Sequence, residues 1–91
     1  MQTFHVNGDN NRFYFRNLNG ISDDEEFKSI MAILKGAGCK IGEQKIAPYC
    51  DIVSCKYQNK YFKVIRTLDG DGNYIYADNP SVLADLEELF K

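Results

Sequence analysis

The first quarter of the chain alternates hydrophobic and polar residues in two stretches. The stretches are QTFHV, residues 2–6, and RFYFRNL, residues 12–18. In the second stretch Phe13 and Phe15 lie on one side, and Tyr14 and Arg16 lie on the other. Alternation with a period of two is typical of β-strands, and the Asn-Gly dipeptide between the stretches favours a tight turn. This segment therefore predicts a β-hairpin.

Apolar residues then recur at helical spacing. They are Phe27, Ile30, Met31 and Leu34. Ser22 is a good N-cap, and Glu25 completes a capping box. The acidic residues 23–26 stabilise the positive end of the helix dipole, so their clustering requires neither a metal ion nor a basic partner. Gly36 is expected to end the helix.

The second half of the chain alternates again. Residues 39–46 contain Gly42 and Gln44, which weaken a strand, so we predict an edge strand or an irregular one. The stronger strands are predicted over residues 51–57, 60–68 and 73–77, with QNK and GDG as the turns between them. Such a run of hairpins is a meander.

A second helix is predicted to begin at Asn79, the N-cap, followed by Pro80 at the first helical position. Its apolar stripe consists of Val82, Leu83, Leu86, Leu89 and Phe90. Asp85, Glu87 and Glu88 are expected to point to water. The order β-β-α-β-β-β-β-α predicts a single α+β domain, residues 1–91. We expect a two-layer sandwich, with a mostly antiparallel sheet and two helices on one face.

Composition narrows the functional classes. The chain has 91 residues, of which 44% are hydrophobic and 26% charged, and this balance is typical of a globular domain. A net charge of −2 gives no reason to expect nucleic acid or an anionic membrane. No apolar run is long enough to cross a bilayer, and no secretory signal is visible. Three cysteines, an odd number, favour a reducing cytoplasm over a disulfide scaffold.

The segment TLDGDGNYIY, residues 67–76, resembles part of a calcium-binding loop. Asp69, Asp71 and Asn73 fit the first three ligand positions. Tyr74 replaces the glycine of the sharp turn, however, and Pro80 replaces the bidentate glutamate. The segment therefore predicts a hairpin turn and no metal site.

Other chemistry is equally weak in the sequence. Cys50 and Cys55 are spaced C-x4-C and lie far from Cys39 and His5, which does not favour a zinc site. A nucleophile would need a base, and His5, near the N-terminus, is the one histidine. We predict no catalytic residue, no metal and no cofactor.

One face of the predicted sheet is unusual. Its outward residues are Tyr14, Arg16, Lys56, Tyr61, Lys63, Tyr74 and Tyr76, and Ile65 also faces outward. Tyrosine and arginine with few acids predict a partner-binding surface, either for a protein or for single-stranded nucleic acid. The alternative is a solvated face stabilised by cross-strand Tyr–Lys pairs. Arg66 falls on the inward face, so it lies at a rim or the face assignment slips there.

No motif specifies a function. The size, acidity and aromatic-rich α+β layout resemble those of small bacterial or phage inhibitor and immunity proteins. We therefore expect a non-enzymatic cytoplasmic protein that binds another protein. The alternatives are a single-stranded nucleic-acid module using the same face, and a small enzyme or ligand carrier with a pocket between sheet and helices. The acidic helices are a second candidate surface, for a basic partner.

Overall fold

Six strands form one antiparallel sheet in this computed structural model, which describes residues 2–16, 20–67 and 72–91. The elements are β1 (Gln2–Phe4), β2 (Arg12–Arg16), α1 (Asp23–Gly36), β3 (Lys40–Ile46), β4 (Cys50–Tyr57), β5 (Lys60–Thr67), β6 (Asn73–Tyr76) and α2 (Pro80–Glu88). The predicted order β-β-α-β-β-β-β-α and the α+β class are confirmed. The predictions that involve Leu18, Leu68, Asp69 and Asp71 fall outside the described residues.

The strand order in the sheet is β1-β2-β6-β5-β4-β3. Strands that follow one another in the chain pair in the hairpins β3–β4 and β4–β5 and in the pair β5–β6. The last strand, β6, also pairs with β2, with Phe13 opposite Ile75. The N-terminal strands are therefore joined to the meander through the β2–β6 ladder.

The hydrophobic core lies between the helices and one face of the sheet. Its fully buried side chains are Phe13, Phe90, Ile30, Leu34, Ile75, Leu83, Leu86 and Val64. The Phe90 ring of the C-terminal segment meets Phe15 edge-on, with ring centroids 5.0 Å apart. Burying a side chain of this size contributes about 1.5–3 kcal/mol. Residues of both helices belong to the same cluster, which confirms the two-layer arrangement.

The start of α1 agrees with the prediction, but its end does not. Ser22 Oγ accepts a hydrogen bond from the Glu25 N–H at 3.2 Å. Gly36 is inside the helix, and Gly38 (φ 89°) is the left-handed residue that follows it. The N–H groups of Gly38 and Cys39 donate to the carbonyls of Lys35 and Leu34. This Schellman pattern satisfies the last carbonyls of α1, so Gly36 is not the terminating glycine.

The two predicted turns of the described chain differ in their geometry. Gln58 and Asn59 both have positive φ (51° and 65°) and join β4 to β5 in a two-residue turn. Near the N-terminus the Asp9 N–H donates to the Val6 carbonyl, and only Gly8 in this turn has positive φ. Strand β1 ends at Phe4, so a seven-residue connection replaces the predicted tight hairpin.

Strand β3 is the irregular edge strand that the sequence predicts. Ile41 pairs with Cys55 and Gln44 with Val53, so the register shifts between them. Gly42 lies at this bulge, where an added Cβ would be 2.6 Å from the Ser54 carbonyl oxygen. Such a distance is too short for a side chain, so the close approach of β3 to β4 requires glycine here.

Helix α2 begins as expected, because Asn79 Oδ1 accepts from the Ser81 N–H at 2.9 Å. The expectation that Glu87 points to water is wrong. Glu87 Oε2 accepts from the Thr3 hydroxyl at 2.5 Å, and Glu87 Oε1 lies 2.8 Å from His5 Nε2. Burial acts to raise the pKa of Glu87, but the bonds from Thr3 and His5 outweigh it and lower the pKa. The hydrogen bonds of Glu87 with Thr3 and His5 hold β1 against α2.

Neither α1 nor α2 is long and apolar enough to span a bilayer, and no other helix occurs in the described ranges.

Candidate binding face of the sheet

The sheet face opposite the helices, called the open face below, carries all seven side chains that the sequence assigns to a partner-binding surface. The register places them in rows that run across the strands. One row consists of Phe4, Tyr14, Tyr74, Ile65 and Ile52, and the next of Arg12, Tyr76, Lys63 and Ser54. Lys56 faces Tyr61 in a third row, and Arg16 faces Gln2 at the β1 edge. Their position is established, and their role in binding stays a prediction.

Aromatic rings form a continuous cluster at the β1–β2–β6 side of the open face. Phe4 stacks on Tyr14 with centroids 5.5 Å apart, and Tyr14 lies 5.1 Å from Tyr74. Burial raises the pKa of Tyr74, so its hydroxyl stays protonated. Ile65, next to Tyr74 in the row, is only 6% exposed. The open face is therefore apolar at its centre, although α1 and α2 both lie on the other side of the sheet.

Arg12 is one of the open-face residues that the sequence analysis does not assign to the binding surface. Its guanidinium carbon lies 5.3 Å from the ring centroid of Tyr74 and 5.8 Å from that of Tyr76. A cation over aromatic faces is held in place by the ring quadrupoles. The same alternation that placed Tyr14 outward would have placed Arg12 outward too, because the two residues are two positions apart. That signal was present in the sequence.

Tyr61 forms a ridge at the other side of the open face. It is 74% exposed, and Lys56 Nζ lies 5.0 Å from its ring centroid. A depression of about 200 Å³ on one side of the ring includes Lys63 and Tyr76 in its lining. Another of about 240 Å³ on the opposite side includes Lys40 and Lys56. The ridge thus separates two shallow sites, each with at least one lysine.

Charge is divided between the two layers of the protein. The paired strand residues of the open face include six basic ones: Arg12, Arg16, Lys40, Lys45, Lys56 and Lys63. No acidic residue lies among the described strand pairs of this face. The helices carry seven acids, which are Asp23, Asp24, Glu25, Glu26, Asp85, Glu87 and Glu88, against Lys28 and Lys35. The net charge of −2 therefore conceals a basic sheet face and an acidic helical layer.

Arg66 lies at the rim of the core face, so the face assignment does not slip. It forms an ion pair with Asp24 and lies over the Phe27 ring, 5.6 Å from its centroid. Beside it, the Asn73 amide donates to Glu26 Oε1 at 2.9 Å. These contacts join the first turn of α1 to β5 and β6. Some of the acidic residues of α1 are therefore engaged inside the molecule, which weakens the case for this end of α1 as the binding surface.

The cysteines are free thiols, two of them buried. Burial raises the pKa of Cys55 to about 11 and also raises that of Cys39. A protonated thiol is a poor nucleophile and a poor metal ligand. Within the described ranges, no group of three or more His, Cys, Asp and Glu side chains is arranged to hold a metal ion.

Comparison of the chain with protein-family models, with curated proteins and with solved structures finds no match. The case for a function therefore depends on the residues of the open face.

Proposed function

We propose that this chain is a non-enzymatic binding protein of the inhibitor or immunity type, and that it binds a partner protein on its open face. One observation supports this most strongly. Six basic residues and a cluster of tyrosines share a sheet face on which no acidic residue lies among the described strand pairs. Tyrosine and arginine are enriched at the energetic centres of protein interfaces, and a basic surface selects an acidic partner.

The arrangement of the rings favours a protein over nucleic acid. Base stacking needs an uncovered aromatic face. The Tyr74 ring is already contacted by Tyr14 and by the Arg12 guanidinium. A preorganised cluster of this kind suits an interface better, because little conformational entropy is lost when a partner docks.

We also propose that the protein is cytoplasmic, and the free thiols support this location. Cys39 and Cys55 pack in the core as small apolar groups, and Cys50 is half-buried on the open-face side. In an oxidising compartment an odd, partly accessible thiol invites unwanted disulfides. A reducing cytoplasm removes this hazard.

The chain offers a matched pair of tyrosines for the test. Tyr61 (74% exposed) lies on the open face, whereas Tyr49 (77% exposed) lies in the β3–β4 connection. The tagged chain would capture its partner from an extract of its source cells, and binding of the purified partner would then be measured. We expect Tyr61→Ala to weaken binding by about tenfold or more. Tyr49→Ala should have little effect.

The binding site would lie elsewhere if Tyr61→Ala bound the partner as tightly as wild type does. It would also lie elsewhere if Tyr61→Ala and Tyr49→Ala lost affinity equally. Tyr74→Ala provides a second test on the same face, since its ring belongs to the central row. Circular dichroism of each variant would show that the fold is retained.

Single-stranded nucleic acid is the second candidate, and the exposed Tyr61 ring between Lys56 and Lys63 is the observation that favours it. Fluorescence anisotropy with labelled oligo-dT and oligo-U at low salt tests it. Binding that falls steeply with salt and is lost in Lys56→Glu/Lys63→Glu would establish this candidate. We expect no binding to either oligonucleotide.

A further inference from the structure

A third depression lies on the open face, at the aromatic cluster. It has a volume of about 400 Å³, the largest of the three described, and lies at the surface of β1, β2, β5 and β6. The described residues in its lining are Phe4, Val6, Arg12, Tyr14, Thr67 and Tyr74. A volume of this order accommodates an amino-acid side chain together with part of its backbone.

Among the described residues of this lining, Arg12 is the one that is charged. Its Nε atom is shielded from solvent and has no hydrogen-bond partner within the described residues. Asp9 Oδ2 lies 3.5 Å from Nε and forms an ion pair with it, while Asp9 Oδ1 accepts a hydrogen bond from the Asn11 N–H. The side chain as a whole is 41% exposed. A cation that is paired with Asp9, and whose Nε donor has no hydrogen-bond partner among the described residues, therefore borders an accessible depression.

This lining combines a cation with apolar side chains, so it suits a ligand whose anionic group is attached to an apolar chain. A guanidinium presents a fork of donors that matches a carboxylate in two parallel bonds. Its position over Tyr74 and Tyr76 restricts the side chain before a ligand arrives. Phe4 and Val6 supply apolar surface beside it.

We propose that this depression anchors a single Asp or Glu side chain of the partner protein, with Arg12 binding the carboxylate and Phe4 and Val6 packing on the adjoining methylene groups. This inference rests on the proposed function and specifies the chemistry of the partner. A phosphate fits less well, because it carries up to two charges and this lining offers one cation. The lysines Lys40, Lys56 and Lys63 line the other two depressions.

The test uses small probes and the whole chain, so it does not depend on finding the partner. N-acetyl-L-glutamate α-N-methylamide, whose one charge is the side-chain carboxylate, its neutral analogue N-acetyl-L-glutamine N-methylamide and inorganic phosphate would each be titrated into ¹⁵N-labelled protein. We expect the glutamate probe alone to shift the amides of Val6, Arg12 and Thr67 saturably, with Kd of about 1–10 mM. Arg12→Gln should abolish the shifts. Lys35→Gln, a control that removes one positive charge from the last turn of α1, should retain them.

Arg12→Lys keeps the positive charge but lacks the planar fork, and we expect it to bind the glutamate probe at least about fivefold more weakly. This variant also provides the test if Arg12→Gln does not fold. An equal response to the glutamine probe, a response undiminished in Arg12→Lys, or tighter binding of phosphate would overturn the proposal. Partner capture that depends on Tyr61 while the glutamate probe shows no saturable shift would refute this anchor alone and leave the proposed function standing.

Discussion

At the scale of single residues, Glu87 shows how hydrogen bonds from a distant part of the chain change the role of a side chain. Its sequence position on α2 suggests a solvated acid, like Glu88 beside it. The folded chain instead brings Thr3 and His5 to its carboxylate, across more than 80 positions in the sequence. No local pattern carries this information, since the contact depends on where β1 lies relative to α2.

The lowered pKa of Glu87 predicts a pH dependence of stability. A carboxylate whose pKa is lower in the folded state stabilises the protein above its ordinary pKa of 4.5. That contribution is lost as the pH falls through the lowered folded-state pKa. We expect Glu87→Gln to reduce the free energy of unfolding by about 1 kcal/mol at neutral pH, the usual contribution of such hydrogen bonds. The difference from wild type should disappear in strong acid.

Urea unfolding of both proteins at neutral pH and near pH 3 makes this measurement. Glu88→Gln is the control, because the Glu88 side chain is 69% exposed and pairs with Lys91 at the surface. A stability difference between wild type and Glu87→Gln that is the same at both pH values would contradict the assignment.

At the scale of elements, local signals predict the helices and most strands, and they fail where tertiary contacts decide. Ser22 and Asn79 cap their helices as their sequence contexts indicate. The N-terminal connection departs from a tight Asn-Gly turn because the Asn11 amide donates to the carbonyls of Ala77 and Asp78. These bonds tie the connection to the segment before α2, and no short-range pattern reveals them.

The end of α1 predicts opposite effects for alanine substitutions at two glycines in the same turn, so each substitution serves as the control for the other. Gly36 has helical geometry and open space around it, so Gly36→Ala should stabilise the protein by about 0.5–1 kcal/mol. Gly38 has φ 89°, which alanine adopts poorly, so Gly38→Ala should destabilise it by about 1 kcal/mol. Thermal unfolding would measure both. Effects of the same sign would show that α1 does not end in the Schellman turn.

At the scale of the whole molecule, the alternation of residues predicts the open face well. It places every one of its seven assigned side chains, from Tyr14 to Tyr76, on the side away from the helices. It does not predict that β6 lies between β2 and β5, which brings Arg12 next to Tyr76. Because that neighbourhood creates the stacked guanidinium, the Arg12 anchor becomes visible only in the folded chain.

The division of charge has a consequence for association. A basic sheet face and an acidic helical layer give the molecule a strong electric dipole, although its net charge is only −2. Such a dipole orients an acidic partner toward the open face before contact, and salt screens this attraction. The association rate with an acidic partner should therefore fall as ionic strength rises, while the dissociation rate changes little.

Paired charge reversals on the two layers of the protein decide whether the open face binds the partner. Lys56→Glu/Lys63→Glu reverses two charges on the open face, and Asp85→Lys/Glu88→Lys reverses two exposed charges on α2. Binding of the captured and purified partner would be measured for both by surface plasmon resonance. We predict that the open-face variant binds about tenfold or more weakly and that the α2 variant binds as wild type does. A loss of binding in the α2 variant, with the open-face variant unaffected, would contradict the account.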